Sequence, residues 1–163
     1  METKKIKKVL IALDYDPTAQ KVAEVGYTLA KTIGAEVILI HVISNQMYYA
    51  FTGHVTIMGF AGEKATGKCN TKTNTEANKT AQHFLDSTKK HLGDDTIQTV
   101  LKEGDFAKSI LDVAKETHTD IIIIGSHSKK WLENIVMGSV TQEVLNNTTI
   151  PLFVIPTKKQ DLY

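Results

Sequence analysis

The chain of 163 residues contains no arginine: all 19 of its basic residues are lysine, set against 18 acidic ones for a net charge of +1. Readers of DNA sequence rely on arginine forks for guanine, and nonspecific binders of nucleic acid need a clear basic excess. Neither condition is met, so nucleic acid is not expected as a partner. Cysteine is nearly absent too, with Cys69 standing alone. A single thiol excludes an internal disulfide and an all-cysteine zinc site, and it suits a reducing compartment. Long apolar runs are missing: stretches such as Ile121–Ile124 fall far short of the roughly 20 residues a membrane helix needs. The lysine-rich start, Met1–Lys8, leads into an apolar stretch that meets Asp14 and Asp16 at once, without the length or the cleavage site of a signal peptide. A cytoplasmic protein with no membrane partner is therefore expected. The rest of the composition, 42% apolar and 23% charged, is ordinary for a folded protein, and residues 1–163 suit one domain with one core.

Apolar segments alternate along the chain between strand-like and helix-like spacing. Ile6–Leu13 and Glu36–Ile43 are nearly continuous apolar runs, the pattern of strands covered on both faces. Between them, Asp16-Pro17 supplies an N-cap and a proline for the first helical position. Val22, Val25, Leu29 and Ile33 follow at helical spacing, and Gly34 is a stop. Ser44–Asn74, with Gly53, Gly59, Gly62 and Gly67, reads as a mobile excursion. Thr73-Asn74-Thr75-Glu76 matches a capping box, opening a helix that turns Ala77, Ala81, Phe84, Leu85 and Thr88 inward and ends near Gly93. A third strand spans Ile97–Lys102, and Asp105 caps a helix with Ile110, Leu111, Val113 and Ala114 on its inner face. Asp120–Gly125 is the fourth strand, Ser139-Val140-Thr141-Gln142 is a second capping box, and Ile150–Ile155 is the fifth strand. This alternation predicts an α/β three-layer sandwich: a five-stranded parallel sheet with helices on both faces, joined by right-handed crossovers. Ligands of such sheets sit beyond the carboxyl ends of the strands, here Leu13-Asp14, Ile40–Ile43 and Ile124-Gly125.

The fourth strand ends in Gly125-Ser126-His127-Ser128-Lys129-Lys130, and after seven intervening residues comes Gly138-Ser139-Val140. A glycine at a strand's end lets a ligand touch the backbone. A Gly-Ser pair opening a helix presents unpaired N–H groups, a hydroxyl and the positive end of the helix dipole, a seat for phosphate. The plainer account of the same residues is that Gly125 turns the chain and Ser139 caps the helix.

The spacing resembles the signature of the universal stress protein family: Gly, two residues, Gly, nine residues, Gly, then Ser or Thr. Gly125, Gly138, Ser139 and the nine-residue spacer Lys129–Met137 match, while Ser128 replaces the middle glycine. The likeness extends to the strand ends at Leu13-Asp14 and His41-Val42, the Gly104 turn, the Asp120 strand and Pro151 with its strand. It implies an adenine-nucleotide alpha-hydrolase-like sandwich with strand order 3-2-1-4-5. Some members of the family bind ATP and others do not. In the binders, by this resemblance, Asp14 takes the ribose, and Val42 lies by the adenine with Ala12 as a neighbouring wall. Gly125, Ser128, Gly138, Ser139 and Val140 hold the phosphates, with Ile124 and His127 close by. Magnesium would ease the repulsion between phosphates and the carboxylates of Asp14 and Asp16. The resemblance also implies antiparallel pairing of Ile150–Ile155 across a homodimer, the alternative being that the tail Thr157–Tyr163 covers that strand.

The expected function is thus an ATP-binding sensor or regulator of the stress response. No catalytic residue or general base is identifiable, so at most feeble hydrolysis is expected. Two alternatives stand beside it: a family member that works through dimer and protein contacts without nucleotide, and a phosphoryl-transfer enzyme using Gly62–Cys69. That last segment nearly spells a phosphate-binding loop, but Cys69 stands where a magnesium-binding hydroxyl belongs and a polar turn follows it instead of a helix. Serine at 128 costs on the order of 1 kcal/mol or more if the backbone there needs a positive φ, and adds a hydroxyl donor if the position only needs to be small. Tyr15-Asp16-Pro17-Thr18 differs from the small, serine-rich turn common in the family, so Tyr15 either crowds the site or stacks on it. The six histidines, at 41, 54, 83, 91, 118 and 127, show no metal-ligand spacing and are expected at the surface or the core edge.

Overall fold

The structure, a computed structural model, describes residues 4–43, 73–126 and 138–157. Along them strands and helices alternate: β1 (Lys8–Leu13), α1 (Ala19–Thr32), β2 (Glu36–Ile43), α2 (Thr73–Leu92), β3 (Gln98–Glu103), α3 (Phe106–Glu116), β4 (Ile121–Gly125), α4 (Ser139–Asn147) and β5 (Leu152–Ile155). The strands form one sheet in the order β3-β2-β1-β4-β5, and every pairing is parallel. Expected and observed strand limits differ by a residue or two, the usual uncertainty of element ends.

The sheet is buried on both faces, which is why β1 and β2 read as continuous apolar runs. Val9, Ile11, Leu13, Val37, Leu39 and Ile123 pack with Val22, Ala23, Phe84 and Leu85 under α1 and α2. Leu10, Ile38, Ile40, Val42, Ile122 and Ile124 pack on the other face with Ile110, Leu111, Ala114 and Val144 of α3 and α4. Among the described residues, no helix is long and apolar enough to cross a membrane.

Helix α1 departs from its sequence reading at its start and on one face. Asp16 does not cap it directly: its Oδ1 accepts from the Thr18 amide at 3.0 Å and the Thr18 hydroxyl at 2.8 Å, and Ala19 N–H donates to the Asp16 carbonyl at 2.8 Å. Asp16 and Pro17 therefore make a turn ahead of the helix, which begins at Ala19. Val25, expected inside, is 40% exposed. The small residues Ala23, Gly26 and Ala30 bring the helix close to the sheet, and a Cβ on Gly26 would lie 2.9 Å from Ile11 Cδ1. That approach turns Val25 outward. The expected stop is where the sequence puts it: Gly34 has φ +71°, with Gly34 N–H on the Lys31 carbonyl (3.1 Å) and Ala35 N–H on the Ala30 carbonyl (2.9 Å).

Two aspartates matter for the frame. Asp105 accepts from Lys108 N–H at 2.8 Å, as its position before α3 predicts. Asp120, just before β4, accepts from the Lys7 and Lys8 amides at 2.9 and 3.1 Å and pairs with Lys4 Nζ at 2.9 Å. Those contacts, the Lys7 amide first, pull its carboxyl down to about 2 and fasten the start of β1 to β4. Thr73–Glu76 forms the first turn of α2, with the side chains of 73–75 outside the described residues. Of the 44–74 excursion, residues 44–72 lie outside the described residues, and the Gly62–Cys69 loop with them.

Candidate functional site

The strand order reverses at β1, with β2 and β3 on one side of it and β4 and β5 on the other. The carboxyl ends of β1 and β4 diverge into different connections there, and such a switch point leaves a crevice above the sheet. The β1 ladders end at Leu13↔His41 towards β2 and at Ala12↔Ile124 towards β4. Asp14 follows immediately and is exposed, its Oδ1 accepting from Asp16 N–H at 3.1 Å. The Ile43 carbonyl accepts from Gly104 N–H at 2.9 Å and so points to β3. Successive residues of a strand alternate sides, so the Val42 carbonyl points towards β1, whose ladder has already ended. Ala12, Val42 and Ile124 share the face that packs on α3 and α4. The structure thus brings Ala12, Asp14, Val42, Ile124 and Gly125 to one end of the sheet.

The second half of the site is the start of α4. Its N-cap is Gly138, with φ −68° and ψ 157° and no side-chain cap bond, and the Gly138 carbonyl takes the first helical bond from Gln142 N–H at 3.0 Å. The capping box expected from Ser139 is therefore not formed. Thr141, in the middle of that box, turns inward instead: its Oγ1 donates to the Gly125 carbonyl at 2.9 Å, and its side chain is buried. The helix consequently opens one residue earlier, leaving Ser139 exposed in its first turn. The Thr141 bond sets Gly138, Ser139 and Val140 beside the end of β4.

The two glycines of this junction answer to different causes. A Cβ on Gly125 would lie 2.9 Å from Val22 Cγ2 and 3.0 Å from Thr157 Cγ2. Close packing of α1 and the chain after β5 thus accounts for glycine at 125 without any ligand. Gly138, by contrast, has extended backbone that any residue adopts. Nothing in its own conformation therefore asks for glycine. His127 and Ser128 lie outside the described residues, as does the loop up to 137.

Tyr15 packs into the core and not over the crevice. Its ring centroid lies 4.3 Å from that of His41 and 5.2 Å from that of Phe84, on the α1 and α2 side of the sheet, and burial pushes its phenol up to about 12. His41 corrects the expectation for the histidines: it is 1% exposed, inside β2. Its Nδ1–H donates to the Leu13 carbonyl at 2.8 Å, and Nε2 has no hydrogen-bond partner among the described residues. Burial holds its pKa below the ordinary histidine value, so the ring is neutral. The sequence carried a signal for this: His41 interrupts an apolar run on the side of Val37 and Leu39.

A sequence model of the Universal stress protein family matches residues 5–156. The chain belongs to this family. The universal stress protein MJ0577 of Methanocaldococcus jannaschii is 30% identical over 156 residues, covering 93% of this chain and 96% of that relative. The solved MJ0577 structure has a TM-score of 0.69 at 24% identity and covers 96% of this chain and 100% of its own. A universal stress protein solved in complex with cAMP has a TM-score of 0.63 at 13% identity, covering 95% and 100%. Another, from Archaeoglobus fulgidus and in complex with dAMP, has a TM-score of 0.57 at 19% identity, covering 93% and 99%. At these identities the solved structures establish the universal stress protein fold, whose strand order is the one described above.

Proposed function

We propose that this universal stress protein binds ATP, with magnesium as counter-ion, at the carboxyl ends of β1, β2 and β4, and acts as a nucleotide-dependent sensor or regulator of the stress response. One observation carries the reading. The first turn of α4 is fixed against β4 by Thr141, has no side-chain cap among the described residues, and is fronted by a glycine whose backbone does not need to be glycine. The first amides of a helix have no partner within the helix, and with the positive end of its dipole they suit a phosphate. Relatives of the same fold solved with cAMP and dAMP point to the same ligand class.

In this reading Asp14 accepts from the ribose, the Val42 main chain meets the adenine edge with Ala12 as a wall, and the amides of Ser139 and Val140 take the phosphates beside Gly138. Ile124, Gly125, His127 and Ser128 complete the surround. A helix start contributes about 0.3–2 kcal/mol towards an anion, whereas micromolar binding needs about 8 kcal/mol. The ribose and adenine contacts must therefore supply most of the affinity. No side chain is assigned as a general base, so hydrolysis is at most feeble.

The protein is further proposed to be a cytoplasmic, single-domain homodimer paired through the β5 edge, with no nucleic-acid or membrane partner. Its single cysteine and its near-zero net charge support this, and so does the exposure of Phe153 on the edge strand.

Titration of nucleotide-free protein with Mg-ATP tests the reading by calorimetry. Wild type should give a saturable isotherm, and Gly138→Val, which the extended backbone accommodates, should abolish it by filling the phosphate seat. A flat wild-type isotherm, with no nucleotide released on heat denaturation, sinks the proposal in favour of a member acting through protein contacts. Turnover that survives Gly138→Val and dies with Lys68→Ala favours the phosphoryl-transfer alternative.

A further inference from the structure

Asp14 lies between two residues that His41 holds. On one side the imidazole Nδ1–H donates to the Leu13 carbonyl at 2.8 Å. On the other, the Tyr15 ring packs on the imidazole with centroids 4.3 Å apart. Phe84 of α2 closes the third side, 5.5 Å from the imidazole and 5.2 Å from Tyr15. A carbonyl acceptor fixes Nδ1 as the protonated nitrogen, which leaves Nε2 as a buried lone pair without a donor among the described residues. An unpaired buried nitrogen is a cost that phenylalanine or leucine would avoid while filling the same space. Packing alone therefore does not ask for histidine here. What the imidazole adds is a hydrogen bond to the last carbonyl of β1, directly before Asp14.

We propose that His41 is a positioning residue for the nucleotide. By bonding the Leu13 carbonyl and packing on Tyr15, it fixes the backbone on both sides of Asp14 and aims the Asp14 carboxylate at the ribose hydroxyls. The Asp16 amide, bonded to Asp14 Oδ1 at 3.1 Å, completes the orientation from the far side. Sub-ångström placement matters for such a contact, because a hydrogen bond to a carboxylate weakens steeply with misalignment. The inference rests on the nucleotide reading above and deepens it at the ribose.

The test compares Mg-ATP with Mg-2′,3′-dideoxy-ATP by calorimetry on the full chain. Wild type should prefer ATP by about tenfold, the scale of one hydrogen bond to a charged group. His41→Phe keeps a ring and loses the Nδ1–H donor; it should bind the dideoxy nucleotide as wild type does and lose the preference for ATP. His41→Asn, whose amide nitrogen takes the place of Nδ1, should restore it. Should His41→Phe fail to fold, His41→Gln replaces it, since that amide reaches the Nε2 position and leaves the Leu13 carbonyl unserved. A variant without the donor that keeps the full preference overturns the positioning role and leaves nucleotide binding intact. An equal loss for both nucleotides also overturns it, since it marks plain structural damage. A wild type that binds both nucleotides equally removes Asp14 from the ribose, and one that binds neither removes the nucleotide reading itself; the inference falls in either case.

Discussion

The Thr141 hydroxyl donates to the Gly125 carbonyl across 2.9 Å, joining the first turn of the last helix to the end of the fourth strand. Two parts of the family signature, 16 residues apart in sequence, are joined by this bond, whose donor side chain is buried. Thr141→Val keeps the shape and leaves the carbonyl unserved. It is expected to cost about 1–3 kcal/mol of stability and to weaken nucleotide binding, while Thr141→Ser preserves both. Urea denaturation and calorimetry on the two variants read these effects directly.

Gly125 faces Val22 and Thr157 at distances that leave no room for a methyl group. Gly125→Ala is therefore expected to destabilise by about 1–3 kcal/mol through overpacking. Trimming the nearer neighbour should relieve part of that strain, so Gly125→Ala with Val22→Ala should lose less than the two single changes added together. Strict additivity in a double-mutant cycle would show that the steric account is wrong and leave glycine at 125 to be explained by a ligand.

The parts of this fold that were legible in the sequence are those written in local chemistry. The apolar runs of β1 and β2 report burial on both faces, Gly34 reports a backbone with positive φ, and Asp105 reports a helix start, each within a few residues of its cause. What the sequence concealed was set at long range. Ser139 reads as a cap because Thr141's partner, Gly125, is invisible in the local pattern. Val25 reads as core because the helical period does not say how closely Ala23, Gly26 and Ala30 let α1 approach the sheet. The candidate site follows the same division. Its strand ends and its Gly-Ser helix start could be located from spacing, whereas the grip of His41 on the residues flanking Asp14 needed β1, β2 and α2 to be folded against one another.

Asp120 gives the structure a defined response to acid. Its carboxyl is held at about 2, chiefly by the Lys7 amide and then by Lys4, against an ordinary value near 3.8. A carboxylate with a depressed folded-state pKa contributes stability that is fully present above the unfolded value and is lost as pH falls through the folded one. The contribution should therefore be intact at neutral pH and disappear between about pH 4 and pH 2. Asp120→Asn lacks the titrating group, so its stability difference from wild type should narrow across that interval. Denaturation midpoints measured at neutral pH and at steps below pH 4 check this, and a difference that stays constant with pH would assign the acid response to other carboxyls.

β5 is the short outer strand of the sheet, and Phe153 on it is 43% exposed. An outer strand with an exposed aromatic offers both unpaired backbone groups and apolar area to a second copy. Burying such a side chain is worth about 1.5–3 kcal/mol, and a two-fold interface would use it twice. Phe153→Lys removes that area and sets like charges against each other across the symmetry axis. Wild type is expected to sediment at twice the 18.0 kDa of one chain, and the variant as a single chain with its fold and nucleotide affinity retained. A wild type that sediments as one chain at micromolar concentration would rule out the β5 pairing, and an unchanged dimer in the variant would move the interface elsewhere on the molecule.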